Sequence, residues 1–215
     1  MNNITDSGGN KASHVKIIRA EGINYTWDGY HLNNWSIGTL QKFLNSGDYY
    51  NRTGFYESKG LTTDARERIS NVVWNLGGHT TVAVKAATMY TKERGTAVYG
   101  SNPTTWTGYV GLIYPSDYGF AVGGSVRTTC LGKNLSAYDA SNCYTYDWLY
   151  MGKGRLWTIT TSSSDKSVIG MNSQGLMEMA EDSNNYRYVY PVVYLNTNIM
   201  KVSGSGTSTD PYIIG

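Results

Sequence analysis

Three consecutive serines, Ser162, Ser163 and Ser164, are followed by Asn172 and Ser173 and then by Asp182, Asn184, Asn185, Tyr186 and Tyr188, all towards the carboxyl end of a 215-residue chain. Hydroxyls and amides at these positions can donate and accept hydrogen bonds. Tyr adds a broad amphipathic ring with few rotors to immobilise, so the set suits non-covalent recognition better than bond breaking. The whole composition leans the same way, with 19 Tyr and 25 Gly against 3 Phe, which weights the aromatic content toward the ring that tolerates water. Tyr is also a common strand filler, so the cluster Tyr186, Tyr188, Tyr190 carries this reading more than any single ring.

Catalytic chemistry would need a different set of residues. The chain has no G-x-S-x-G elbow and no H-E-x-x-H helix. His14, His31 and His79 are far apart, and the two cysteines are too few for a zinc site, so no metal, no cofactor and no catalytic residue is expected. Asp117 beside Tyr118 and Glu93 beside Arg94 could be drawn into acid/base work, but paired charges of this kind are more often solvated or structural. Cys130 and Cys143 enclose L-G-K-N-L-S-A-Y-D-A-S-N, a short polar loop in a chain of low charge, and read as a loop-closing disulfide contributing about 3 kcal/mol.

The net charge of +2 arises from 18 basic and 16 acidic residues scattered along the chain. No basic stripe with interleaved aromatics is present, which argues against a nucleic-acid partner. No apolar run approaches the roughly 18 residues of a membrane span, and M-N-N-I-T-D-S-G-G-N has neither the basic nor the apolar region of a leader. An anchor or pilin helix upstream is compatible with this sequence.

The elements that must position the polar cluster follow from periodicity. Residues 1–12 are expected to be a flexible lead-in, and 13–215 a single α+β domain. H-V-K-I-I-R-A alternates as a strand, and Asn24 to Asn34 reads as an aromatic hairpin turning at Asp28-Gly29. Ser36 is placed to cap a helix with Leu40, Phe43 and Leu44 on one face and Gly47 beyond its end. A second helix is expected after Thr62 or Thr63, with Ile69, Val72, Val73 and Leu76 on its inner face, Asp64 at its positive end and Gly77-Gly78 to stop it. Thr81 to Tyr90 fits a strand or a helix. Val110 to Tyr114 reads as a buried strand, with a turn or short helix from Pro115 through Ala121. Strands are expected at Leu156–Thr161, Val168–Asn172, Gly175–Ala180 and Val189–Leu195, with a short edge strand after Pro211. Trp74, Trp106, Trp148 and Trp157 are assigned to the core.

The run W-T-I-T-T-S-S-S (157–164), then S-V-I-G-M-N-S-Q-G-L (167–176) and V-Y-P-V-V-Y-L (189–195), resembles the C-terminal half of bacterial C-type lectin-fold domains. That group includes formylglycine-generating-enzyme-like proteins and the variable proteins of diversity-generating retroelements. W-D-G-Y-H-L-N-N-W-S (27–36), E-R-G-T-A-V-Y-G (93–100), V-G-L-I-Y-P-S-D-Y-G-F-A (110–121) and G-S-G-T-S-T-D-P-Y-I-I (204–214) resemble a pilin-like family of surface proteins from gut Gram-positive bacteria. The resemblance implies a C-type lectin-like fold, two early helices and a small twisted antiparallel sheet with long loops.

It also implies an extracellular or cell-surface location and a ligand-binding face made of Ser162, Ser163, Ser164, Asn172, Ser173, Asp182, Asn184, Asn185, Tyr186 and Tyr188. The expected partner is a host or bacterial surface protein or glycan, met in an adhesin-like role. A pilin-like subunit for filament assembly is the alternative. Lectins of this fold commonly place acidic or amide calcium ligands around a proline, whereas Pro191 stands between Tyr190 and Val192, so the resemblance carries over no calcium site. Formylglycine-type oxidation would need paired reactive cysteines, and the order and setting of Cys130 and Cys143 do not match that use. Adenine-directed variation would suit Asn184, Asn185, Tyr186 and Tyr188, but not Met177, Glu178 or Met179.

Overall fold

The computed structural model describes residues 3–150, 154–181, 183–207 and 209–215, the side chains of Ala140 and Ser141 excepted. In chain order the strands are β1 (Ile4–Thr5), β2 (Lys11–Ala12), β3 (Lys16–Ile18), β4 (Ile23–Thr26), β5 (Val72–Asn75), β6 (Thr105–Gly108), β7 (Val110–Gly111), β8 (Leu156–Thr161), β9 (Val168–Met171), β10 (Met177–Ala180), β11 (Tyr186–Val189), β12 (Val192–Tyr194), β13 (Lys201–Ser203) and β14 (Ile213–Ile214). The α-helices are α1 (Thr39–Asn45), α2 (Asp48–Asn51), α3 (Thr63–Glu67), α4 (Ala86–Glu93), α5 (Pro115–Ala121) and α6 (Arg127–Leu131). Helices and small sheets thus mix in one chain, which is the α+β class.

Two sheets organise the molecule. The larger has the order β10-β9-β8-β11-β4, with β8 and β11 parallel and the other pairs antiparallel; the smaller has the order β3-β12-β7 and is antiparallel throughout. In both, an early strand pairs with a late one: β4 with β11, and β3 with β12. The two late strands are joined through Tyr190 and Pro191. Where one strand was expected from Val189 to Leu195, the chain therefore crosses between sheets. Pro191 has no N–H to extend a ladder, and its carbonyl accepts from Arg19 N at 2.9 Å.

Every residue of β8 and β9 is buried, so the centre of the larger sheet is covered on both faces. Trp27, Trp35, Trp74 and Trp157 are buried in the core. Trp27 Nε1 donates to Thr158 O at 3.0 Å and Trp74 Nε1 to Gly108 O at 3.0 Å, whereas the buried Trp35 Nε1 has no hydrogen-bond partner among the described residues. Trp106 is half-buried, edge-on to Trp35. Trp148, expected in the core, is instead 64% exposed, because Leu149 takes the inward position beside it.

Several local readings change for identifiable reasons. The expected second helix ends at Glu67, and Val72 to Asn75 form β5 with alternating burial; two consecutive β-branched residues before Trp74 suit a pleated strand better than a helix. Its start is as expected, with Thr62 Oγ1 accepting from Ala65 N at 3.0 Å and Asp64 in the first turn. Asp28 does not turn a hairpin. Its buried carboxylate accepts from Tyr30 N, Leu32 N and Thr39 N, which leads the chain into a 3-10 turn at Trp35–Ile37 and then α1. Leu40, Phe43 and Leu44 are buried as the periodicity requires, but the side-chain cap before Ser36 comes from Asn34. In the ambiguous stretch, α4 begins at Ala86.

The segment expected to be a flexible lead-in contains the β1–β2 pair, whose turn is held by Asp6 Oδ1 accepting from Gly8 N and Asn10 N. Ser7 N donates to Asn71 O at 2.9 Å, which docks this pair beside β5. Cys130 and Cys143 form the disulfide. β13 and β14 pair at the carboxyl end. No helix among the described residues is long and apolar enough to cross a membrane.

Candidate ligand-binding face

β11 alternates in burial, with Tyr186 and Tyr188 outward and Arg187 and Val189 inward. What fixes this alternation is the charge beneath it. Arg187 Nη1 donates to Glu178 Oε1 at 2.7 Å and to Met171 O at 3.3 Å, while the guanidinium lies 4.4 Å from the Trp157 ring. Burial pushes the Arg187 pKa down, and the hydrogen bond and charge of Glu178 oppose that shift. Gly170 makes the room: a Cβ there would stand 3.0 Å from Arg187 Nη1 and 2.8 Å from Leu156 O. A one-residue slip of β11 would place Arg187 in water and two Tyr rings in its socket, so the register is tightly specified.

Outside, Tyr188 lies opposite Asn24 and Tyr186 opposite Thr26 in the β11–β4 ladder, so these four side chains share one face. The loop before β11 is tied down by Ser183 O, which accepts from Trp27 N at 2.8 Å and Asp28 N at 3.0 Å. Asn184 and Asn185 are exposed on it. Beside β4 opens a concavity of about 270 Å³ whose lining includes Arg19, Glu21, Asn24, Phe55, Tyr56 and Lys59. Tyr25 stacks on Phe43 at 4.3 Å, Tyr56 meets Phe43 edge-on at 4.7 Å, and Lys59 Nζ lies 4.2 Å from the exposed Phe55 ring. Burial raises the Tyr25 and Tyr56 pKa values. The result is a shallow aromatic and amide surface on a rigid strand, flanked by charges of both signs.

The nine described residues of the ten expected to form a single face do not all come together. Ser162 follows β8, whereas Asn172, Ser173, Asn184, Asn185 and Tyr186 lie at the opposite end, because Leu156 is registered with both Met171 and Tyr188. Along β8, Ser162 is separated from Leu156 by roughly 20 Å at about 3.3 Å per residue. Ser162 is buried, and its Oγ accepts from Ser164 N at 3.1 Å and Asp165 N at 3.2 Å; it shapes the β8–β9 turn and offers nothing to a partner. Ser163 is half-buried beside His79, and Ser164 is exposed. Asn172 Oδ1 accepts from Gln174 N and Leu176 N, so its carbonyl is engaged in the β9–β10 turn, with Ser173 exposed beside it. Asp182 lies outside the described residues.

Sequence reasoning missed Asn24, which stands opposite Tyr188 through the pairing of β4 with β11, and Phe55, Tyr56 and Lys59, which line the neighbouring concavity. Among the described residues no group of three or more His, Cys, Asp or Glu is placed to hold a metal ion. Comparison with known proteins finds no matching family model, no matching curated protein and no matching solved structure.

Proposed function

We propose that this chain is a non-catalytic recognition domain that works outside the cell or at its surface, with an adhesin-like role, and that it holds a surface protein or glycan on the face built by Tyr186, Tyr188 and Asn24. The observation that carries this reading is the outward pair of Tyr rings on β11, with Tyr186 69% exposed, on a strand pinned from beneath by the buried Arg187. Rings held rigid before contact lose little entropy on binding, and neighbouring amides supply adaptable hydrogen bonds. The disulfide is in keeping with an oxidising location. The pairing of early with late strands in both sheets supports a lectin-like closure of the domain.

The test is an array of host and bacterial surface glycans and proteins probed with the purified domain, alongside the double variant Tyr186→Ala, Tyr188→Ala. Both residues are exposed, so the variant should keep its fold. Retention by specific array members that the double variant loses supports the proposal; binding that the variant retains in full overturns it.

A further inference from the structure

On a different part of the molecule, a cavity of about 540 Å³ opens between the β1–β2 pair and the β5 and α4 elements, with Lys11, Asn75, Tyr90, Arg94, Tyr114 and Tyr194 in its lining. Its volume falls within the range of small-molecule sites. Arg94 is the group in it best suited to chemistry. It stands at the C-terminal end of α4, its guanidinium 3.5 Å from the Tyr90 ring and 5.2 Å from that of Tyr114. Its fixed hydrogen bonds, to Tyr90 O at 3.2 Å and Glu93 Oε2 at 3.1 Å, both leave from Nη1. Among the described residues Nε and Nη2 have no acceptor. The fork is therefore held in place by stacking and one ion pair while two of its nitrogens remain open.

The acidic groups nearby are already engaged. Glu93 is buried and accepts from Ser116 N at 2.8 Å and from the Ser116 hydroxyl, and Asp117 accepts from Lys16 Nζ and from Tyr114 N. Lys11 is exposed and adds a positive charge at the rim. One engaged carboxylate beside the fork disfavours a dianion more than a monoanion. The walls combine phenol rings with the Asn75 amide, a combination that packs against sugar C–H faces while hydrogen-bonding their hydroxyls.

We infer that this cavity binds a carboxylated saccharide, with the carboxylate on the open side of the Arg94 guanidinium and the sugar ring against Tyr90. The site does not depend on the Tyr186 face. Isotope-labelled protein is titrated with glucuronate, N-acetylneuraminate, glucose and inorganic phosphate and followed by NMR. At least one acidic sugar should saturate, with shifts centred on Tyr90 and Arg94, and glucose should bind about tenfold more weakly or worse, the worth of one charge-assisted pair.

Arg94→Lys keeps the charge beside Glu93 but loses the planar fork, and should weaken the acidic sugar about tenfold. Lys11→Ala, at an exposed position, should weaken it by a smaller factor and leave glucose unchanged. Tyr186→Ala with Tyr188→Ala should leave this binding intact, so the two sites fail independently. Absence of saturable shifts at Arg94 with either acidic sugar, equal binding of glucose, or binding of phosphate alone would overturn the inference.

Discussion

Gly22 and Tyr188 are in such close apposition that a Cβ on the glycine would stand 2.9 Å from Tyr188 Cδ1, and the same atom would stand 2.9 Å from Cζ of the buried Tyr190. The missing side chain is what lets one exposed ring lie over another that is buried, their centroids 6.3 Å apart. Gly22→Ala should therefore destabilise the domain by about 1–3 kcal/mol, a typical overpacking cost. Gly29→Ala, whose new Cβ would find nothing nearer than Thr39 Cγ2 at 3.9 Å, should cost far less. Urea denaturation of the two variants checks this, and equal midpoints would count against the packing described.

Two buried carboxylates set the pH dependence. Burial pushes Asp147 up to about 8 and Glu93 up to about 7, above ordinary values of 3.8 and 4.5. Asp147 Oδ1 accepts from Leu149 N, but among the described residues its buried Oδ2 has no hydrogen-bond partner. Both groups bind protons more tightly folded than unfolded, so their contribution is complete below the unfolded values and is lost as pH rises through 7 to 8. Stability should fall by a few kcal/mol between about pH 5 and pH 8, at ~1.4 kcal/mol per pKa unit of difference. Asp147→Asn should flatten that slope in thermal melts across the range; a slope of opposite sign would contradict the burial argument.

Opening the Cys130–Cys143 bridge by Ser substitution at both positions should cost about 3 kcal/mol, since the closed loop spans a sequence separation of 13. Denaturation of oxidised wild type against the double variant measures it. An unchanged midpoint would mean the loop is ordered without its crosslink.

Ser162→Ala separates architecture from recognition. Its Oγ serves two backbone N–H groups of the β8–β9 turn, so its loss should reduce stability by about 1–2 kcal/mol. Ligand binding, read below the melting temperature, should be unchanged, because the turn lies at the other end of β8 from Tyr186. A specific binding defect in a stable variant would return this turn to the recognition surface.

The strands β8, β9 and β10 were legible in the sequence because apolar runs there are bounded by Ser, Asn and Gly turns, and the disulfide followed from an isolated close pair. Helix α1 was legible through Leu40, Phe43 and Leu44. Val72-Val73-Trp74 was misread because a short apolar run fits helical and strand spacing alike, and only pairing with β6 decides between them. The proposed face was half legible. Tyr186 and Tyr188 declare themselves by type, whereas the placement of Asn24 and the removal of Ser162 depend on register between strands far apart in sequence, which local pattern does not encode. Trp148 went wrong for a related reason: whether it or Leu149 turns inward is decided by the surrounding tertiary packing.

The central claim is that Tyr186 and Tyr188 make the contact with a partner, and attachment of the fluorescently labelled domain to intact host and bacterial cells tests it most directly. Wild type should attach, Tyr186→Ala with Tyr188→Ala should lose attachment by about tenfold or more, as expected for two central aromatic anchors, and Ser164→Ala should behave as wild type. Attachment unchanged by loss of both rings, in a variant with an unaltered melting temperature, would contradict the account.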